Sequence, residues 1–330
     1  MAGFLLRRVV HHGALAVLAA SLGYLLAAAA LDPRAALEGR APRPPEAVVD
    51  ARLTALNLND RTPLAERYRT WACGVLHGDF GRTQEGERVN AELWRRLGVS
   101  LRLLVPGALA GGVLGVVLGA YAAVMRGRSA DRLITFGSYL LLAAPVFVMA
   151  VLLQTVASTV NGAVGAQIFV WVGESTPGPP GGGPGELADR IRHLLLPTAT
   201  IALAQLPVHA RYQRGVMLDV LHADHVRTAR AKGLPRRRAL LRHGLRAALV
   251  PMTTYSAYAA GLLVLGGVFT ERIFGWHGMG AWLVDSIARG DVNAVAAIVC
   301  VAACAVPLAG LAADLLNGVL DPRVRSGAVR

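Results

Sequence analysis

Apolar residues in this chain fall into long runs divided by polar stretches. Six runs stand out, roughly Val9–Leu31, Leu101–Met125, Leu133–Val160, Leu194–Val216, Leu245–Thr270 and Asn293–Leu320. Each approaches or exceeds the ~20 residues that carry an α-helix across a bilayer. The pattern predicts an all-α integral membrane protein with about six transmembrane helices. Arg7 and Arg8 precede the first run, as basic residues do in a secretory signal. That run is long for a cleaved signal and further spans follow, so an uncleaved first membrane helix is expected.

Two of the polar intervals are distinctive. Asp32–Gly98 is long; it opens with a Pro/Arg-rich stretch, Ala41 to Pro45, and continues with segments of amphipathic character. Gly173–Gly185 is rich in Gly and Pro and reads as an irregular, mobile loop. Composition agrees with a membrane protein. Of 330 residues, 54% are hydrophobic and 37 are glycine, and mean hydropathy is +0.46. Cys300 and Cys304 lie one helical turn apart in an apolar run and Cys73 has no evident mate, so no disulfide framework is indicated.

Charge then orients the chain. With the N-terminus in the cytoplasm, 18 basic and 5 acidic residues fall on that side and 16 of each on the other, so the whole net charge of +13 lies on one face. This positive-inside distribution predicts cytoplasmic N- and C-termini. It also explains the pI near 10.8 without nucleic acid, which is not expected as a partner.

The densest basic segment runs from Arg227 to Pro251. His222–Lys232 reads as a short helix, interrupted by Gly233-Leu234-Pro235, where Gly permits a left-handed turn and Pro can open a new helix. In that second helix Leu240, Leu241, Leu245 and Leu249 recur on one face, and Arg238, Arg242 and Arg246 lie four apart on another. A positive loop resting on anionic membrane lipid would suit this pattern. A bent pair of helices shaped to dock a cytoplasmic partner would suit it too.

The order of residues favours docking. Ala229, Gly233 and Val250-Pro251 are spaced as in the cytoplasmic loop of ABC importer permeases, although Arg227-Thr228-Ala229 stands where that family usually has Glu-Ala-Ala. The string from Arg227 to Leu234 and the later basic run instead resemble the dipeptide/oligopeptide/nickel branch. Gly74–Arg82, Leu133–Phe147, Phe269–Gly280 with its Glu-x-x-Phe-x-x-x-Gly-x-Gly pattern, and Leu320–Arg325 are similar to the same branch. Gly290-Asp291-Val292-Asn293 departs from it by lacking Asp-Tyr-Pro. The resemblance spans nearly the whole chain.

That resemblance implies a type I ABC importer permease fold with an extracytoplasmic insertion after the first helix. Its parts would be a first transmembrane helix (1–31), an extracytoplasmic segment (32–97), the transmembrane domain (98–320) with a coupling loop (217–246), and a cytoplasmic tail (321–330). The implied partners are a second homologous permease, two ATP-binding subunits, an extracytoplasmic solute-binding protein and membrane lipid. ATPase contact would fall on Asp224, Arg227, Thr228, Ala229, Arg230, Ala231, Lys232, Gly233, Leu234 and Pro235. The implied solute is a short peptide, with nickel or another small solute as alternatives.

Other chemistry is thin. Lys232 is the only lysine and lacks the glycine-rich context of a phosphate-binding loop, so ATP and Mg would belong to partner subunits and no cofactor is expected in this chain. His222, Asp224 and His225 could hold zinc, but histidines beside a basic surface helix are more ordinary. No hydrolase motif is present. Gly107, Gly111, Gly115 and Gly119 repeat every four residues, presenting a face that another helix can approach closely, either to slide or simply to pack. Gln154, Gln205, His209 and Asn293 are polar groups within or at the ends of spans; they would face protein or a water-filled path. An ion-driven secondary transporter is the main rival reading, but it would call for acids in mid-membrane and often for two related halves. Asp219, Glu271, Asp285 and Asp314 all lie near span ends.

Overall fold

The computed structural model describes residues 2–38, 44–177, 183–220 and 223–320. The chain forms α1 (Ala2–Ala30), α2 (Pro33–Glu38), α3 (Glu46–Ala55), α4 (Leu64–Leu76), α5 (Val89–Val124), α6 (Ser129–Ala143) and α7 (Val146–Val164). There follow α8 (Pro184–Val220), α9 (Asp224–Ala231), α10 (Arg236–Ala239), a π-helical turn (Leu240–Gly244), α11 (Leu245–Gly266), α12 (Val268–Ile273), α13 (Met279–Ala288) and α14 (Val292–Leu320). Apart from one isolated bridge between Arg82 and Arg88, no β-structure occurs among the described residues. The fold is all-α, as expected.

Five segments among the described residues are long and apolar enough to cross a membrane: Arg7–Ala30, Val89–Val124, Val146–Val164, Pro184–Val220 and Val292–Leu316. The fifth apolar run of the sequence forms α11, of 22 residues. The third differs from its expected continuous span. It breaks at Ala144, whose extended backbone (φ −84°, ψ 123°) ends α6 just before Pro145 starts α7. The proline ring disfavours the helical region for the residue before it, and Ala144 takes the extended alternative, whereas Pro106, Pro197, Pro207, Pro251 and Pro307 lie inside continuous helices. Helices α5 and α8 also begin about three turns ahead of their apolar runs, with amphipathic and charged residues filling the extra turns.

The chain divides into two units. The first comprises residues 1–101, 261–271 and 277–308. Its larger core sets Ala20, Tyr24 and Ala27 of α1 against Trp71 of α4, Leu53 of α3 and Val292, Val295 and Ala296 of α14. Tyr24 stacks on Trp71 with ring centroids 4.5 Å apart, an offset aromatic contact that adds to simple burial. The polar 32–98 segment is therefore not a free loop. Arg34 gathers it, reaching Asp50 at 2.6 Å and Asp60 at 2.7 Å. Asn293 ties it to α14, donating its amide to the carbonyls of Leu56 (3.0 Å) and Arg82 (2.9 Å). Asp291 accepts from the backbone N–H of Gln84 (3.0 Å) and caps α14 through the N–H of Ala294 (3.1 Å). Asp291 is thus a working helix cap and Asn293 an anchor.

The second unit comprises residues 102–260, 272–276 and 309–330. Helix α8 is its spine, with α6 and α7 packed along it. The described residues 173–177 of the Gly/Pro-rich stretch are irregular in backbone yet tethered. Thr176 fastens to Asp189 of α8 through both its N–H (2.8 Å) and its hydroxyl (2.7 Å), and Gly173 donates its N–H to Phe274 (2.8 Å). Residues 178–182 lie outside the described set.

Candidate functional site

The basic loop is built as two short helices around one glycine. Helix α9 ends in a double hydrogen bond: Leu234 N–H reaches back to the carbonyl of Ala229 (3.2 Å) and Gly233 N–H to that of Arg230 (2.9 Å). This is the Schellman arrangement, which requires a left-handed residue just past the helix. Gly233 supplies it with φ +88°. Space is not the constraint there, since a Cβ on Gly233 would meet nothing within 4 Å. Backbone conformation alone selects glycine. Pro235 then leads into α10, its carbonyl accepting from Ala239 N–H at 3.0 Å.

The two faces of α9 do different things. Val226 and Ala229 are buried with Ala120 and Ala123 of α5, Met217 of α8, and Ala239, Leu240 and Ala248 beyond the turn. Arg227, Thr228, Arg230, Ala231, Lys232 and Gly233 are exposed. Asp224 is also exposed and lies 3.8 Å from Arg227, a loose surface pair of little energetic weight. The helix thus presents a basic outer surface on an apolar footing. The expected leucine stripe is split: Leu240 is fully buried and Leu241 is exposed. A π-helical turn at 240–244, closed by Leu245 N–H on the Leu240 carbonyl, interrupts the simple α-helical rhythm. His222 and the tail 321–330 lie outside the described residues.

The glycine repeat of α5 meets α8. A Cβ on Gly107 would stand 2.6 Å from Ile201 Cβ, on Gly111 2.6 Å from the Ala202 carbonyl oxygen, and on Gly115 2.6 Å from His209 Cβ. On Gly119 it would run into the Ala210 carbonyl. Backbone meets side chain and backbone all along this seam, so none of the four has room for a methyl group. Gln205 and His209 belong to the same seam. His209 is buried, its Nδ1 2.9 Å from the Gln205 carbonyl and its ring edge-on to Tyr255, which stacks on Tyr212. Gln154 stands apart from this group and makes a long 3.4 Å bond to the Ile273 carbonyl.

Two relationships were not singled out from sequence. Asp131, at the head of α6 and outside the apolar run, receives Arg214 of α8 in a two-pronged ion pair (2.7 and 3.0 Å) and the N–H of Gly127 at 2.9 Å. The Arg214 guanidinium, helped by Gly127, holds the Asp131 carboxyl below its ordinary range against the opposing effect of burial. An acid at the polar border of one span and an arginine inside another is the signal that could have suggested them. The second relationship explains the Glu-x-x-Phe-x-x-x-Gly-x-Gly pattern. Glu271 is fully buried; its carboxylate accepts the Ser100 hydroxyl (2.6 Å) and the Ala281 N–H (2.8 Å), while the Ser100 oxygen accepts the Met279 N–H (2.8 Å). Two unpaired donors at the start of α13 are thereby satisfied, one of them by an anion at the helix's positive end. Gly278 must lack a side chain because Glu271 and Ser100 occupy the space, and Gly280 because Val268 does.

Known proteins share this chain's pattern along nearly its whole length. It is 51% identical over 325 residues to the oligopeptide transport system permease protein OppB of Mycobacterium tuberculosis, covering 98% of this chain and 99% of that protein. It is 33% identical over 276 residues to the dipeptide transport system permease protein DppB of Escherichia coli, covering 80% and 81% respectively. It is 34% identical over 275 residues to the oligopeptide transport system permease protein AppB of Bacillus subtilis, covering 81% and 82%. The family model described as binding-protein-dependent transport system inner membrane component matches residues 115–326, which include Gly115 and Gly119 of α5, all of α8 and the bent basic loop. With its multiple apolar spans and this match, the chain belongs to the family of binding-protein-dependent transport system inner membrane components.

Proposed function

We propose that this chain is the permease subunit of an ATP-driven ABC importer for short peptides, forming half of the translocation path. The observation that carries the substrate class is the 51% identity to an oligopeptide permease across 98% of the chain. A second, homologous permease would form the other half. Both termini would face the cytoplasm, in keeping with the one-sided charge. An extracytoplasmic binding protein would deliver the peptide, with the 32–97 segment on that side.

ATP hydrolysis belongs to two separate subunits in this reading, and ATP and Mg with them. They would dock on Asp224–Pro235. The capped bend at Gly233 supports that role, because it holds a basic surface at a fixed angle on an apolar footing shared with α5 and α8. A push on α9 would therefore reach both spans directly. The glycine seam would be the contact along which α5 and α8 are held as the path opens alternately to each side. Gln205 and His209 are the polar groups closest to that seam; Gln154 is a separate candidate for the path.

The test is co-purification of the tagged chain from its native membranes in mild detergent, followed by reconstitution and uptake of labelled di- and oligopeptides. An associated ATPase, a second permease and ATP-dependent peptide uptake are expected. A chain that emerges alone even after crosslinking, or uptake driven by an ion gradient without ATP, would overturn the reading.

A further inference from the structure

The pairing of Arg214 with Asp131 leaves Arg211, one turn away on α8, without an acid. Arg211 makes no ion pair among the described residues; its guanidinium lies 4.4 Å from the ring centroid of Tyr139 on α6. Both residues line an open crevice of about 490 Å³ between α6 and α8. The crevice walls are largely apolar, with Ile134, Leu142 and Val208 among them. Its serine and threonine hydroxyls are engaged: Ser138 donates to the Ile134 carbonyl at 2.7 Å, and Thr135 turns toward Asp131. Among the described residues the nearby carboxylate, Asp131, is held by Arg214, Gly127 and Thr135. The crevice therefore offers a single uncompensated cation, oriented by an aromatic ring, at the mouth of an apolar groove.

Such a site selects its occupant by charge and by amphipathic shape. A bare cation against hydrocarbon is costly, so an anion that can reach it is favoured. A partner helix would have to carry an acid into the membrane to match Arg211. A lipid phosphate already sits at the interface, with acyl chains that suit the groove, and basic pockets between membrane helices are recognised lipid sites. The exposed apolar side chains of α6, Leu133, Phe136 and Leu140, extend the surface along which such chains would lie. We propose that the crevice between α6 and α8 binds the phosphate of an anionic phospholipid through Arg211, with an acyl chain against Leu142 and Val208.

Native mass spectrometry of the detergent-purified transporter complex tests this, with phosphatidylglycerol, phosphatidylcholine and inorganic phosphate titrated in separate arms. The first phosphatidylglycerol is expected to bind about tenfold tighter than phosphatidylcholine, as one charge-assisted contact provides. R211Q should abolish that preference, R211K should keep most of it, and inorganic phosphate should not displace the lipid. Y139L leaves every charge in place and decides the matter if R211Q does not assemble; removing the stacked ring should weaken the first binding several-fold. Equal binding of the two lipids, a preference that survives R211Q or Y139L, or displacement by inorganic phosphate would overturn the proposal. So would a photo-crosslinker at Leu142 that captures the second permease and no lipid.

Discussion

Asp131 and Arg214 clasp the head of α6 to the far end of α8, with Nε 2.7 Å from Oδ1 and Nη2 3.0 Å from Oδ2. Arg214 lies less than two turns before α8 ends at Val220, and α9 follows at Asp224. The clasp thus fixes the stem from which the bent basic loop emerges. Its geometry is bidentate, the form in which an arginine–carboxylate pair gains most in direction and strength.

D131N is expected to lower stability by about 2–3 kcal/mol, because it leaves a partly buried guanidinium without its anion. Thermal unfolding in detergent reads this, and D131N/R214Q should lose less than the two single changes summed. Acid should act in the same direction. The folded Asp131 carboxyl titrates below its ordinary range, so the pair's contribution is complete above that ordinary range. It is lost as pH falls through the lowered value. The part of the acid sensitivity that D131N removes measures this pair.

Replacing Gly233 tests the bend. G233V should cost about 1–2 kcal/mol locally, since a β-branched residue is strained at φ +88°. G233N should be much milder, because asparagine tolerates the left-handed region. ATPase retention in pull-downs and ATP-dependent uptake should follow the same order: wild type, then G233N, then G233V. Equal retention and uptake in all three would remove the bend from any coupling role.

The seam between α5 and α8 should resist added volume. G119A places a methyl against the Ala210 carbonyl and G115A against His209 and Leu206. Each is expected to cost about 1–3 kcal/mol through overpacking. By contrast G137A, on α6 with nothing within 4 Å of its Cβ, should be neutral or slightly stabilising in the same thermal melts.

Ser100 should matter more than a surface serine. S100A removes the donor to Glu271 and the acceptor for Met279 N–H at once. A loss of about 2 kcal/mol is expected for buried groups left unpaired. Hydrogen exchange should quicken at Met279 at the start of α13, while Ala294 at the start of α14, capped by Asp291, stays protected. Unchanged exchange at Met279 would show that the serine is dispensable.

Much of the architecture could be read from the linear pattern. Apolar run length in a bilayer gives the spans, because every backbone group in hydrocarbon must be bonded within its own helix. The Gly233 turn was legible because its requirement is local: one left-handed residue after a short helix. The family pattern Glu-x-x-Phe-x-x-x-Gly-x-Gly was visible too, but not its reason, since Glu271 meets Ser100 across 171 positions.

What the sequence by itself determined, then, is what depends on neighbours along the chain: span length and the glycine that ends α9. Only the tertiary structure decided which distant groups meet. Asp131 finds Arg214 rather than Arg211, Asn293 fastens the 32–98 segment, and the α5 glycines lie against the α8 backbone. Helix period places a residue on a face, but the packing of helices, with few choices left by close contact, chooses what that face touches.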